Sequence, residues 1–165
     1  MMRLILMRHA KAVREHEAPS DKARPLTERG QREAREAGDL LRAQAFIPAR
    51  ILVSTAQRTR DTHAQLGFAD IPATYLDGLY MAPAELLFAA AVTPDDSADI
   101  LVIAHNPGLG ELTQRLIAAA RDNSKLARTL FGHFPTAAFA VFEIDGPTIE
   151  ASGARFVGGW APDRS

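Results

Sequence analysis

Three short apolar runs, Leu4–Met7, Ile51–Val53 and Ile100–Ala104, constrain this chain more than any other feature. They are not interrupted by alternating polar residues, so each reads as a strand buried on both faces, as in a parallel sheet covered by helices. The intervening segments carry helical spacing. From Thr27, a suitable N-cap, to about Ala45, apolar Ala34, Ala37, Leu41 and Ala45 fall on one face, while Glu28 and Arg32 are spaced to pair on the other. A second helix is expected from about Arg58 to Gln65, a third from near Pro83, and a fourth over Leu109 to Ala120, with Leu112, Leu116 and Ala119 sharing a face. Further on, Ala138–Ile144 reads as a strand, Asp145-Gly146 as a turn and Ile149–Ala154 as a returning strand. This alternation of strand and helix is an α/β pattern. The charged loop from Val13 to Pro25, with two prolines, is too polar for a core and is expected to be mobile at the surface, and Ala161–Ser165 are expected to fray.

A chain of 165 residues, 47% hydrophobic, suits one globular domain spanning residues 1–165. Lys and Arg number 19 against 20 Asp and Glu, for a net charge of −1, which gives no overall pull toward nucleic acid or an anionic membrane. Any anion site must be local. The absence of cysteine excludes disulfides, a thiolate zinc site and a cysteine nucleophile, and fits a cytoplasmic setting. The first apolar run is shorter than the core of a signal peptide and meets Arg8 and Lys11, and no other run approaches membrane-spanning length.

Each apolar run ends in polar residues: Arg8-His9 after the first, Ser54 with Arg58 one helical turn on after the second, and His105-Asn106 after the third. In a parallel α/β sheet the carboxyl ends of the strands open on one edge, so two histidines and two arginines would converge there. Arginine presents a planar fork that matches phosphate oxygens and stays charged at physiological pH. A neutral imidazole can attack phosphorus if its other ring nitrogen is held as a donor by a carbonyl. The second histidine can stabilise the transition state as a cation or a donor. That chemistry calls for no metal or cofactor, and for a phosphate or sulfate anion as ligand.

Each of these residues also has a plainer reading. A histidine at a strand end commonly holds structure by hydrogen bonding, and Arg58 beside Arg60 and Asp61 could be a solvated helix residue; only the constellation argues for chemistry. His16, His63 and His133 fit no pattern and are assigned to surface or packing, while Lys11 could serve the site or face water. Gly108-Leu109-Gly110 lacks the further residues of a dinucleotide turn or phosphate loop, though the helix start beside it can favour an anion. Ser54 lacks the glycines of a nucleophile elbow, and Asp61-Thr62-His63 lacks the spacing of a helical zinc motif.

Four motifs extend this reading: RHA at 8–10, RPLTERG at 24–30, STAQRTRDT at 54–62 and HNPG at 105–108, followed by FPTAA at 134–138. In this order they resemble the histidine phosphatase superfamily, and within it the SixA-like phosphohistidine phosphatases, over Met1 to about Thr136. The resemblance implies a three-layer α/β/α sandwich with a mostly parallel central sheet, and the chain from Thr62 to His105 has room for one short strand and one helix but for no lid domain. It also implies that His9 is the nucleophile that becomes phosphorylated, with Arg8, Arg58 and His105 around the phosphate. Position 10 is alanine where the superfamily usually has glycine, a change common in this branch. Larger relatives place a carboxylic acid after the third strand to protonate an alcohol leaving group. Here that neighbourhood reads LDGLYMAPAEL, with Met81 at the expected place and Asp77 and Glu85 as nearby substitutes. A phosphohistidine, whose imidazole leaves readily once protonated, tolerates that lack. The expected substrate is therefore phosphohistidine on a signalling or phosphotransfer protein reaching an open, shallow site. Rival readings are a phosphatase for small monoesters and a phospho-ligand binding module without turnover. A deep capped pocket, or a carboxylate beside the phosphate, would argue against the phosphohistidine substrate.

Overall fold

The computed structural model describes residues 1–92 and 98–163. Its order is β1 (Met2–Arg8), α1 (Glu28–Ala43), β2 (Arg50–Ser54), α2 (Gln57–Gln65), β3 (Ala73–Leu76), α3 (Ala84–Ala91), β4 (Ile100–Ala104), α4 (Gly108–Ala120), α5 (Lys125–Gly132), β5 (Phe139–Ile144) and β6 (Arg155–Trp160), with single 3-10 turns at Glu15–Glu17 and Asp77–Leu79. The six strands form one sheet in the order β3-β2-β4-β1-β5-β6. Strands β3, β2, β4 and β1 run parallel, and β5 runs antiparallel to both neighbours.

The uninterrupted apolar runs explain the layering. In β1, Leu4 and Leu6 point to one face and Ile5 and Met7 to the other, as the period of two requires. The first pair packs with Leu87, Leu112 and Leu130 from α3, α4 and α5. The second packs with Ala37 and Leu41 of α1 and with Leu66 just after α2. Helices therefore cover both faces, and the fold is the three-layer α/β/α sandwich. Each fully buried aliphatic side chain in these layers stabilises the fold by roughly 1.5–3 kcal/mol.

Helix α1 begins where its cap dictates, with the Thr27 hydroxyl accepting from the Gly30 amide at 3.0 Å. It buries Ala34, Ala37 and Leu41. Ala45 is not on that face: the helix ends at Ala43, and Ala45 adopts a φ of 60° and is exposed, leaving Phe46 to enter the core. The i, i+4 ion pair found on this helix joins Arg29 to Glu33, at 3.5 Å.

One further expectation needs correction. Ile149–Ala154 is a turn-rich connection rather than the returning strand; the amides of Asp145 and Gly146 both donate to the Ser152 carbonyl at 2.8 Å, and pairing with β5 begins only at Arg155. Gly158 and Gly159 dilute the apolar signal of this edge strand. Helix α5, two turns capped by Ser124, carried too short a stripe to be read in advance. The loop before α1 is tied down at named points: Val13 donates to the Pro25 carbonyl at 2.9 Å, and Arg24 Nη1 donates to the Val13 carbonyl at 2.9 Å. Of the expected frayed end, residues 161–163 are without regular structure and 164–165 lie outside the described residues.

Candidate active site

Strand β4 lies between β1 and β2, so the three motif-bearing strand ends meet at one edge of the sheet. There Arg8, His9, Arg58 and His105 line a cavity of about 270 Å³, with Lys11, Arg24, Asp21, Met81, Asn106 and Thr136 completing its wall. The four residues expected from the strand ends are thus brought together.

His9 is 6% exposed, and its Nδ1 lies 2.7 Å from the Ala10 carbonyl. A carbonyl only accepts, so Nδ1 carries the proton and the lone pair is on Nε2. That nitrogen faces Arg58, whose Nε–H donates to it at 3.3 Å. Burial, then the nearby His105 and the two arginines, hold the His9 pKa well below the usual histidine value, against the opposing pull of the Ala10 carbonyl. The ring is neutral at physiological pH, as a nucleophile requires.

His105 lies 5.3 Å from His9, centroid to centroid. Its Nε2 is 2.8 Å from the Ser54 hydroxyl, which also accepts from the Ala56 amide at 3.4 Å. The Ser54 hydroxyl, already accepting from Ala56, can donate to Nε2, which places the His105 proton on Nδ1, a buried nitrogen without a hydrogen-bond partner among the described residues. Burial, followed by the charge of Arg58, pushes the His105 pKa down to about 3. Of the two roles open to this histidine, its burial favours a neutral donor over a cation.

The motifs acquire physical reasons. In STAQRTRDT, Ser54, Arg58 and Thr62 recur every fourth residue: Ser54 holds His105, Arg58 meets His9, and Thr62 accepts from the Ala10 amide at 3.0 Å while donating to the Arg58 carbonyl at 2.7 Å. In HNPG, Asn106 accepts from the Gly110 amide at 2.9 Å and donates to the Phe134 carbonyl at 2.8 Å, an oxygen that also accepts from Arg8 Nη1 at 3.3 Å. The glycines of two motifs mark close approaches: a Cβ on Gly30 would stand 2.1 Å from the Lys11 carbonyl oxygen, and one on Gly108 would stand 1.9 Å from that of Ala82.

Neither carboxylate considered as a proton donor lines the cavity. Asp77 is exposed and engaged by Lys22 and Thr55, and Glu85 pairs with Arg115 on α4. Met81 does line it, with φ at 53° and its sulfur 3.9 Å from Arg58 Nη2. Lys11 borders the cavity while remaining exposed. His16 and His133 are exposed, and His63 bonds Tyr75 at 2.7 Å.

Sequence reasoning missed Asp21 and Tyr80. Arg58 Nη2 donates to Asp21 Oδ2 at 3.1 Å, Nη1 donates to the Asp21 backbone carbonyl at 2.8 Å, and the Tyr80 hydroxyl donates to Oδ2. The Tyr80 bond, with Arg58 assisting, lowers the Asp21 pKa below the ordinary carboxylate value, so this group stands as an anion. Among the described residues no group of three or more His, Asp and Glu is arranged to hold a metal ion, and no helix is long and apolar enough to cross a membrane.

Residues 4–80 match the pattern of the histidine phosphatase superfamily (branch 1). The Mycobacterium tuberculosis protein Rv1276c, itself uncharacterised, is 35% identical over 94% of this chain and 99% of its own length. Among solved structures, a SixA protein from Nakamurella multipartitia is 33% identical with a TM-score of 0.82, covering 98% of this chain and 96% of that one. The protein histidine phosphatase SixA complexed with tungstate is 29% identical with a TM-score of 0.72, covering 96% of each chain.

Proposed function

Because the chain belongs to the histidine phosphatase superfamily, in its SixA-like branch, we propose that it is a metal-independent phosphatase acting through phosphorylated His9, and that its substrate is phosphohistidine on a signalling or phosphotransfer protein. The observation that carries this reading is the His9 ring, neutral, with Nδ1 fixed as a donor and Nε2 turned toward the Arg58 guanidinium. The tungstate complex of a SixA relative supports an oxyanion as ligand.

In the first step the Nε2 lone pair forms a bond to phosphorus. The P–N bond of the substrate breaks, and its electron pair returns to the leaving imidazole, which takes its proton from solvent. Arg8, Arg58 and the His105 Nδ1–H meet the equatorial oxygens, where positioning and charge supply most of the acceleration. In the second step water adds to phosphorus, the His9 P–N bond breaks, phosphate leaves and His9 is restored as the neutral ring.

Asp21 is a carboxylate in the cavity wall, which bears on the substrate. An acid there would suit an ester, whose alkoxide needs a proton. Bonds from Tyr80 and Arg58 keep Asp21 ionised, so it has no proton to give, and Met81 adds none. A readily protonated imidazole remains the better leaving group.

The test is phosphate release from a phosphohistidine-bearing protein by wild type and His9→Ala in EDTA, with a small phosphate ester alongside. Release spared by EDTA, abolished in His9→Ala and far faster than ester turnover is expected. Ester turnover alone would overturn the substrate, and retained binding without any release would leave a phospho-ligand binding module.

A further inference from the structure

Asp21 takes no part in either chemical step, yet both of its carboxylate oxygens are engaged. Oδ1 accepts from Arg24 Nε at 3.0 Å, while Oδ2 accepts from Arg58 Nη2 at 3.1 Å and from the Tyr80 hydroxyl. Its backbone carbonyl takes Arg58 Nη1. The Arg58 guanidinium, on a side chain only 2% exposed, is therefore gripped at two points along its outer edge while Nε addresses the nucleophile. Two contacts on a planar group fix its plane as well as its position. Tyr80 joins this clamp to the second histidine, because its ring meets His105 edge to face, with centroids 5.4 Å apart at 89°.

We infer that Asp21, itself held by Tyr80, is a positioning residue that orients Arg58 toward the phosphoryl group and offsets part of the positive charge the phosphate meets. This deepens the phosphatase reading and rests on it. The two effects oppose each other. Neutralising Asp21 removes a negative charge from beside the bound anion, so phosphate binds more tightly. It also frees the guanidinium plane, so the arrangement needed in the transition state is lost more than ground-state binding. A residue that only supported its loop would weaken both together.

The experiment uses Asp21→Asn, Tyr80→Phe and the double variant. Inorganic phosphate affinity is read by calorimetry, kcat and KM on a substrate the wild type turns over, and the Arg58 Nε–H signal by NMR. For Asp21→Asn, phosphate affinity should rise about threefold or more, the scale of one unit charge in a partly aqueous site. Its kcat should fall about tenfold or more, as when one electrostatic contact is misaligned. Tyr80→Phe keeps the ring on His105 and should move both quantities the same way by less, with the double variant no worse than Asp21→Asn alone. Weaker phosphate binding in step with lower kcat, an unmoved Arg58 signal, or additive losses in the double variant would overturn the clamp. If Asp21→Asn does not fold, Tyr80→Phe decides by the same signs. If the wild type turns over no substrate, the phosphatase reading fails, while phosphate affinity and the Arg58 signal still judge the clamp.

Discussion

Two arginines in this molecule hold carboxylates by comparable geometry and differ in almost everything else. Arg115 on α4 reaches Glu85 and Glu150 at 2.5 and 2.6 Å, with its side chain 28% exposed and both partners 66% exposed. Arg58 on α2 reaches Asp21 at 3.1 Å from a nearly sealed position. The shorter contacts are the weaker ones. Water competes for every group in the Arg115 cluster, and such surface pairs contribute about 0–1 kcal/mol. Arg58 is 2% exposed and faces the buried His9 ring, so its charge is screened less and is felt by whatever enters. Environment, not bond length, separates an ion pair that braces a surface from one that prepares a site.

Substitution of the two arginines should separate them most strongly. Arg58→Ala is expected to lower phosphate release about 10²–10³-fold, the scale of removing one preorganised transition-state donor. Arg115→Ala should leave release within about twofold and stability within about 1 kcal/mol. Steady-state kinetics and thermal melts on the pair check this, and equal losses would erase the distinction.

Acid provides a second contrast. His105 has its pKa lowered from 6.5 to about 3 by burial, so the unfolded chain binds a proton that the folded chain refuses throughout that interval. Its contribution to stability is complete above pH 6.5, falls as pH drops toward 3 and changes no further below that. His9 acts in the same direction. Melting temperature should therefore fall between pH 6.5 and pH 4, and His105→Gln should flatten that slope; a parallel slope would show that other groups govern it. Asp21 and Glu85, whose pKa values are lowered, act later, losing their contributions only as pH falls through the carboxylate range.

A third, smaller contrast lies in the two acids that sequence reasoning offered as proton donors. Asp77→Asn and Glu85→Gln should each leave kcat within about twofold, since ionic contacts at an exposed surface contribute little. A loss near tenfold for either would mean that it reaches the leaving group during turnover.

The same contrast explains what the sequence could reveal. Arg8, His9, Arg58 and His105 were legible because each stands at or one turn beyond the end of an uninterrupted apolar run, and parallel topology brings such ends together. Asp21 was not, because one aspartate in a loop of charged residues looks like any solvated group until Arg58 is seen to turn toward it. Tyr80 directly follows a 3-10 turn and belongs to no periodic segment. In the fold, strongly apolar β1, β2 and β4 declared themselves, whereas β6, with Arg155 and two glycines, did not, and its hydrogen bonds to β5 rather than its side chains define it.

Strand β4 pairs with β1 on one side and β2 on the other, although it follows both in the chain. The native arrangement of His9 and Arg58 therefore depends on a segment about a hundred residues from the start standing between their strands, a non-local pairing of the kind that slows folding. A chain lacking that pairing has the motifs without His105 beside His9 and Arg58. Phosphate affinity is therefore expected to report whether β4 stands between β1 and β2, and to be lost in any state where it does not.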